Sequence, residues 1–247
     1  MTALRYALSL IFIVQMYAVM VLMGLAFIPW ALASKRGAQT GIRVFCRYVR
    51  ASARLLCGLR SEVRGTVPDG AVIVAAKHQS FFDIIILCSV LPRPRFIMKR
   101  ELRRAPVLGW YAVRIGCIPV DRGARGQAVA QMRADVAAGR SEPGQLVIYP
   151  QGTRVAPGAR APYKIGTAVL YADGDQPCVP VATNVGLFWP KRGILRRPGC
   201  AVVEFLPPIP PGLPADRFMQ RLEHDIESAS DALGRVCNQG IPVWSHF

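Results

Sequence analysis

Tyr6 to Ala33 is a run of 28 residues without a charge, and Gln15 is its only strongly polar side chain. No other stretch restricts the fold as much, because so long an apolar segment needs either a large enclosing core or a lipid environment. A secretory signal is suggested by Arg5 and by the Ala31-Leu32-Ala33 triplet, but the apolar run is about twice the usual length of such a signal. A buried core helix would need a larger protein around it. A membrane-anchoring helical element fits best, with Gly24 and Pro29 as points where it can break into an interfacial rather than a straight spanning segment. Beyond it, Lys35 and Arg36 flank the run, and Arg43, Arg47, Arg50 and Arg54 recur at spacings of four, three and four. On a helix these form one stripe beside Val44, Tyr48 and Leu55, which would rest on anionic headgroups or, equally, be a solvated face. Basic residues after the apolar run, against Arg5 alone before it, predict a main domain on the cytoplasmic side of a cell inner membrane.

The formal net charge of +16 calls for an anionic partner, whether nucleic acid, membrane surface or phosphorylated substrate. Of the 31 basic residues, 26 are arginine. The seven cysteines are scattered without a Cys-x-x-Cys pair or a His/Cys cluster, which argues for a reducing compartment and against a disulfide framework or a zinc site. No metal ligand set and no cofactor motif is found.

From about Leu59 short apolar runs alternate with helical stretches. The predicted strands are Glu62–Arg64, Ala71–Ala76, Arg95–Lys99, Cys117–Val120, Gln145–Tyr149, Val179–Thr183 and Ala201–Leu206. Helices are predicted near Phe81–Val90, Glu101–Arg114, Gly126–Ala138, Tyr163–Tyr171 and Ala215–Val236. This alternation predicts an α/β fold: one mixed, largely parallel sheet covered by helices on both faces. The chain is therefore divided into an N-terminal membrane element with its basic helix (1–58) and an α/β domain (59–247).

Four predicted strand ends carry polar chemistry. Ala71–Ala76 runs into Lys77-His78, and Ser80 with Asp83 has the spacing of a helix N-terminal capping box. Open α/β sheets place ligands at such strand ends. If the chain folds back at Gln79, Asp83 reaches and orients the imidazole, and the helix N-terminus favours the carboxylate's negative charge. Taken alone, a capping box beside a polar strand end is the simpler reading. The second strand end carries Lys99. The third carries Asp121 and Arg122. The fourth is followed by a turn with Gln151, Gly152, Thr153 and Arg154. Glycine lets backbone N–H groups approach an anion, arginine suits bidentate phosphate recognition, and lysine acts as a point charge. Four ends that converge on one base and several cations make a site.

Together, four ordered blocks resemble the glycerolipid acyltransferase family. His78-Gln-Ser-Phe-Phe-Asp83 looks like its His-x4-Asp motif, and Gly116-Cys-Ile-Pro-Val-Asp-Arg122 like its second block. Tyr149-Pro-Gln-Gly-Thr-Arg154 looks like Phe-Pro-Glu-Gly-Thr-Arg, and Cys178-Val-Pro-Val181 like the fourth, apolar-Pro-apolar block. The resemblance covers roughly residues 60 to 185. It implies acyl transfer from an acyl-ACP or acyl-CoA thioester to the sn-2 hydroxyl of a lysophospholipid such as lysophosphatidic acid, giving phosphatidic acid. His78 would be the general base and Asp83 would hold its tautomer. Arg122, Arg154 and Lys99 would bind phosphate and balance developing charge, while Gln151, Gly152 and Thr153 would shape the acceptor pocket. An anionic membrane surface is an implied partner; nucleic acid is not. Two departures stand out. Lys77 replaces the usual Asn and would add positive charge beside the base. Gln151 replaces the usual Glu, which keeps a lyso-ornithine acceptor open as a second enzymatic reading. A basic membrane-surface binding protein is the non-enzymatic alternative; it leaves the His78–Asp83 spacing without a purpose.

Overall fold

The computed structural model describes residues 2–121, 125–138 and 144–238, the side chains of 125–128 and 237–238 excepted. Seven strands form one sheet: β1 (Leu59–Arg64), β2 (Val72–Ala76), β3 (Pro94–Lys99), β4 (Ile118–Val120), β5 (Gln145–Ile148), β6 (Cys178–Thr183) and β7 (Gly199–Phe205). Their order is β1-β7-β6-β2-β5-β3-β4. All adjacent pairs run parallel except β6 with β7. Each predicted strand is present within a few residues of its expected limits.

Alternation along β2 explains how the two faces are filled. Val72, Val74 and Ala76 belong to one apolar cluster with Phe82, Ile86 and Leu87 of α4 (Phe81–Val90). Ile73 and Ala75 belong to a second, with Ala168 and Leu170 of α7 (Gly166–Ala172) and Phe218, Leu222 and Ile226 of α8 (Ala215–Asn238). The central strands β2, β5 and β6 are buried throughout, as strands covered on both sides must be.

The N-terminal run is divided at the expected place. Thr2–Ala26 (α1) gives way at Phe27 to Ile28–Ala33 (α2), with Pro29 in the first turn of α2 where its missing N–H is harmless. Lys35–Cys57 (α3) then returns antiparallel to α1. By length and composition α1 is able to cross a membrane. It nevertheless lies lengthwise on the body. Near its start, Ser9 accepts a hydrogen bond from the Arg196 backbone N–H (2.9 Å) and Phe12 meets Trp189 edge-on. Near its end, Gly24 O accepts from the Tyr111 hydroxyl (2.7 Å). A side chain at Gly24 would strike Val107, so the glycine permits this approach. The outward face keeps Leu10, Ile11, Val14, Tyr17, Val21, Leu22 and Leu25 exposed.

Two expectations need correction. The arginine stripe of α3 does not face outward as a unit. Arg50 donates to Ser61 Oγ (2.8 Å) and Ser89 Oγ (2.9 Å), and Arg43 donates to Pro92 O (2.6 Å). Burial, with Arg47 nearby, lowers the Arg50 guanidinium from its ordinary value. Only Arg47 and Arg54 stay exposed, beside Val44, Tyr48 and Leu55, because a seven-residue stripe is wide enough to turn around the helix. Nor is Glu101–Arg114 one helix. A 3-10 turn over Arg100–Arg104 is followed by a γ-turn centred on Val107 (φ 60°), with Leu108 N donating to Pro106 O. The α-helix α5 is only Leu108–Arg114. Pro106 disfavours helix at Ala105 before it, and this local rule overrides the apolar periodicity.

Candidate functional site

β2 ends at Ala76, and alternation sends the next two side chains to opposite faces. Lys77 continues the face of Ile73 and Ala75, towards α8. His78 continues the face of Val74 and Ala76, towards α4. The helix that follows is capped as its sequence predicts: Ser80 Oγ accepts from Phe82 N, and Asp83 accepts from Ser80 N. Capping is only part of what Asp83 does. Its Oδ2 accepts from the backbone N–H of Gln79 (2.9 Å) and Ser80 (2.8 Å). Oδ1 faces His78 Nδ1 at 3.0 Å and accepts from the Tyr149 hydroxyl at 3.3 Å. A carboxylate only accepts, so Nδ1 carries the proton and Nε2 is left with its lone pair. The His78 side chain is 13% exposed and that of Asp83 2%, so the acid is sealed in while the imidazole keeps an open edge.

Tyr149, which sequence reasoning passed over, completes the group. It leaves β5, the neighbour of β2, and its ring stacks on His78 with centroids 3.9 Å apart and planes 19° from parallel. Burial, reinforced by the Asp83 charge, pushes its hydroxyl well above the ordinary tyrosine value, so it remains a donor to Asp83. A signal was present: the resembling block has Phe where this chain has Tyr149. Tyr149→Phe keeps the stacked ring and removes one of four donors to Asp83. Turnover is expected to fall by roughly 3- to 10-fold, the worth of one ordinary hydrogen bond; a loss beyond 100-fold in steady-state kinetics would mean that the hydroxyl acts on substrate directly.

The turn after β5 is pinned to the same place. Gly152 adopts φ +67°, its N–H donates to Tyr149 O (2.8 Å), and Val155 N donates to His78 O (2.8 Å). Thr153 is exposed, and the Arg154 guanidinium makes no ion pair or hydrogen bond among the described residues. Lys164, unremarked in the sequence, packs over the turn: a Cβ on Gly152 would lie 3.3 Å from its Nζ. Ten residues separate Lys164 from Arg154, and no motif joins them, so only the fold brings the two cations to one turn.

The remaining predicted residues lie elsewhere. Lys99 ends β3, two strands along the sheet from β2, and is paired at the surface with Glu101 (3.0 Å). Arg122 lies outside the described residues; Asp121 before it pairs with Arg100 (3.5 Å). Gln151 is buried and turns away from the His78 face: its Nε2 reaches Glu227 (3.3 Å). Lys77 likewise adds no free charge beside the base, because its ammonium binds both oxygens of Glu227 at 2.6 and 2.8 Å. That expectation is corrected by strand alternation. Among the described residues no three His, Cys, Asp or Glu side chains cluster as a metal ion would require.

Comparison with known proteins bears on the family and the fold. The acyltransferase family model matches residues 60–184, from β1 through β6 and into the turn after it. This chain belongs to the acyltransferase family. A 1-acyl-sn-glycerol-3-phosphate acyltransferase of Pseudomonas aeruginosa is 29% identical over 160 residues, covering 64% of this chain and 62% of that protein. The human 1-acyl-sn-glycerol-3-phosphate acyltransferase alpha is 29% identical over 191 residues, 75% of this chain and 68% of that one. This chain thus aligns with about two thirds of the length of these relatives. The crystal structure of the 1-acyl-sn-glycerophosphate acyltransferase PlsC from Thermotoga maritima superposes with a TM-score of 0.76 at 20% identity, covering 92% of this acyltransferase and 95% of that chain. A match over 92% of the chain extends beyond residues 59–247 alone.

Proposed function

We propose that this acyltransferase moves a fatty acyl group from an acyl-ACP or acyl-CoA thioester to the sn-2 hydroxyl of lysophosphatidic acid, giving phosphatidic acid. The observation that carries the reading is His78 held by Asp83 through Nδ1, with Nε2 bonded to none of the described residues at the open end of β2. In this scheme Nε2 takes the proton of the acceptor hydroxyl as its oxygen attacks the thioester carbonyl. The tetrahedral intermediate collapses, the C–S bond breaks, and the imidazolium returns the proton to the leaving thiolate. Asp83 holds the tautomer and balances the charge that passes through the ring. No enzyme nucleophile is needed, since the acceptor attacks directly.

Arg154 and Lys164 are the phosphate grip in this reading, with Arg122 as a further cation and Gly152 and Thr153 shaping the turn; Lys99, paired with Glu101 at the surface, takes no part. The acceptor is a membrane lipid, so the exposed apolar faces of α1 and α2, including Trp30 and Leu32, are assigned to one leaflet, with residues 59–247 on the cytoplasmic side of the inner membrane. Residues 2–58 serve as the membrane-facing part of the protein.

The deciding experiment offers membranes containing the protein lysophosphatidic acid or lyso-ornithine lipid with the same labelled acyl donor. Formation of phosphatidic acid is expected; its absence in the presence of acylated ornithine lipid would overturn the acceptor assignment. Arg154→Ala is expected to weaken use of the phosphorylated acceptor by roughly 10- to 100-fold, the usual worth of a charge-assisted hydrogen bond. An equal loss with a phosphate-free acceptor would remove Arg154 from the phosphate site.

A further inference from the structure

On the α8 side of the sheet, opposite His78, lies a buried carboxylate that the chemistry above does not use. Glu227 is 6% exposed, belongs to α8, and stands 150 residues from Lys77. Its two oxygens collect five contacts from four side chains. Lys77 Nζ donates to both, the Tyr163 hydroxyl to Oε1 (3.0 Å), Gln151 Nε2 to Oε1 (3.3 Å), and the Arg160 guanidinium to Oε2. Asp231, one turn further along α8, takes the other arm of Arg160 at 2.5 Å. Two cations thus meet two carboxylates. Burial pushes the Tyr163 hydroxyl far above its ordinary value, so it too remains a donor.

The partners of Glu227 are what make it informative. Lys77 immediately precedes His78, and Gln151 immediately precedes Gly152. Both touch Oε1 of Glu227, so one oxygen sets how the strand end carrying the base sits against the turn carrying Arg154. A buried ammonium is tolerated only when paired, so the end of β2 must follow the carboxylate. A cavity of about 270 Å³, lined in part by Lys77, Gln79, Asn184, Glu227 and Arg235, adjoins the pair. Lys77 therefore has room to swing away if the carboxylate is lost, and losing position does not require losing the fold.

We infer that Glu227 is a positioning residue for acyl transfer, holding the His78 strand end and the Gly152–Arg154 turn in register through Lys77 and Gln151. The inference rests on reading His78 as the base. It is tested on the full chain in detergent micelles with Glu227→Gln and with Lys77→Met combined with Glu227→Gln. The single change leaves an unpaired buried ammonium, so the melting temperature and turnover both fall. The double change removes both charges, so the melting temperature returns towards that of the parent while kcat stays lower by about 10- to 100-fold, the scale of a small misplacement of reacting groups, with the donor KM unchanged. A kcat that recovers together with the melting temperature, or a fully active Glu227→Gln protein, overturns the proposal. A second readout does not depend on acyl transfer: the rate at which diethyl pyrocarbonate modifies His78, followed by peptide mass because the chain has 3 histidines. In the double variant that rate is expected to change at least threefold. An unchanged rate refutes the positioning role, whereas a parent protein that transfers no acyl group yet shows the changed rate refutes only the enzymatic reading.

Discussion

Replacing His78 with alanine is expected to lower kcat/KM for acyl transfer by about 10³-fold or more, roughly 4 kcal/mol of transition-state stabilisation. The fold should survive. His78 sits at a strand end with an open edge, and the buried contacts around it, Ser80 capping α4 and Asp83 bonded to two backbone N–H groups, do not depend on the imidazole. Membrane association, assigned to α1 and α2, should be unaltered in a flotation assay. A His78→Ala protein that floats with vesicles and still acylates its acceptor at the parent rate would exclude general-base catalysis by this residue.

Asp83→Asn should come second in size, with kcat lower by about 10²- to 10⁴-fold. Every contact of Asp83 is to a donor: Gln79 N, Ser80 N, His78 Nδ1 and the Tyr149 hydroxyl. An amide has only one accepting oxygen. If that oxygen keeps the two backbone N–H groups, the NH2 group faces Nδ1, the proton moves to Nε2, and the base is lost. If it turns to the imidazole instead, the NH2 group points at the N-terminus of α4 and the cap is lost, at a cost of about 1 kcal/mol. The two outcomes are distinguishable. The first lowers kcat with little change in melting temperature, and the second lowers both. An effect confined to acceptor KM would contradict either account of Asp83.

Six of the seven strands are readable because each contains a short apolar run, and the sheet's central members are apolar on both faces; β1 has only Leu59 and Val63 as apolar residues, and its sequence shows only its second half. The His78–Asp83 pair was readable because its two partners lie five residues apart across one local turn. What escaped the sequence depends on long-range placement. Tyr149 joins the site only because β5 pairs with β2, and Lys164 only because the loop after the turn folds back over Gly152. Glu227 looks like any polar position on an amphipathic helix until α8 packs across the end of β2. Lys77 was misjudged for a simpler reason. Adjacent residues leaving a strand point to opposite faces, and its neighbour in sequence is not its neighbour in space. The arginines of α3 show the same limit, since a stripe of like charges does not reveal that Ser61, Ser89 and Pro92 lie within reach of two of them.

The lengthwise seat of α1 has a practical corollary for anyone who wants this protein without detergent. Phe12 and Met16, with Cys46, Val49 and Ala53 of α3, share one apolar cluster with Leu59, Phe82 and Trp189 of the sheet domain. Gly58, at φ +64°, is an inviting place to begin a shortened chain. Beginning there would not remove a detachable tether. It would uncover the apolar layer that α4 shares with α1 and α3 and exchange the outward face of α1 for a raw interior one, so the shortened protein should aggregate more readily than the full chain it was meant to improve.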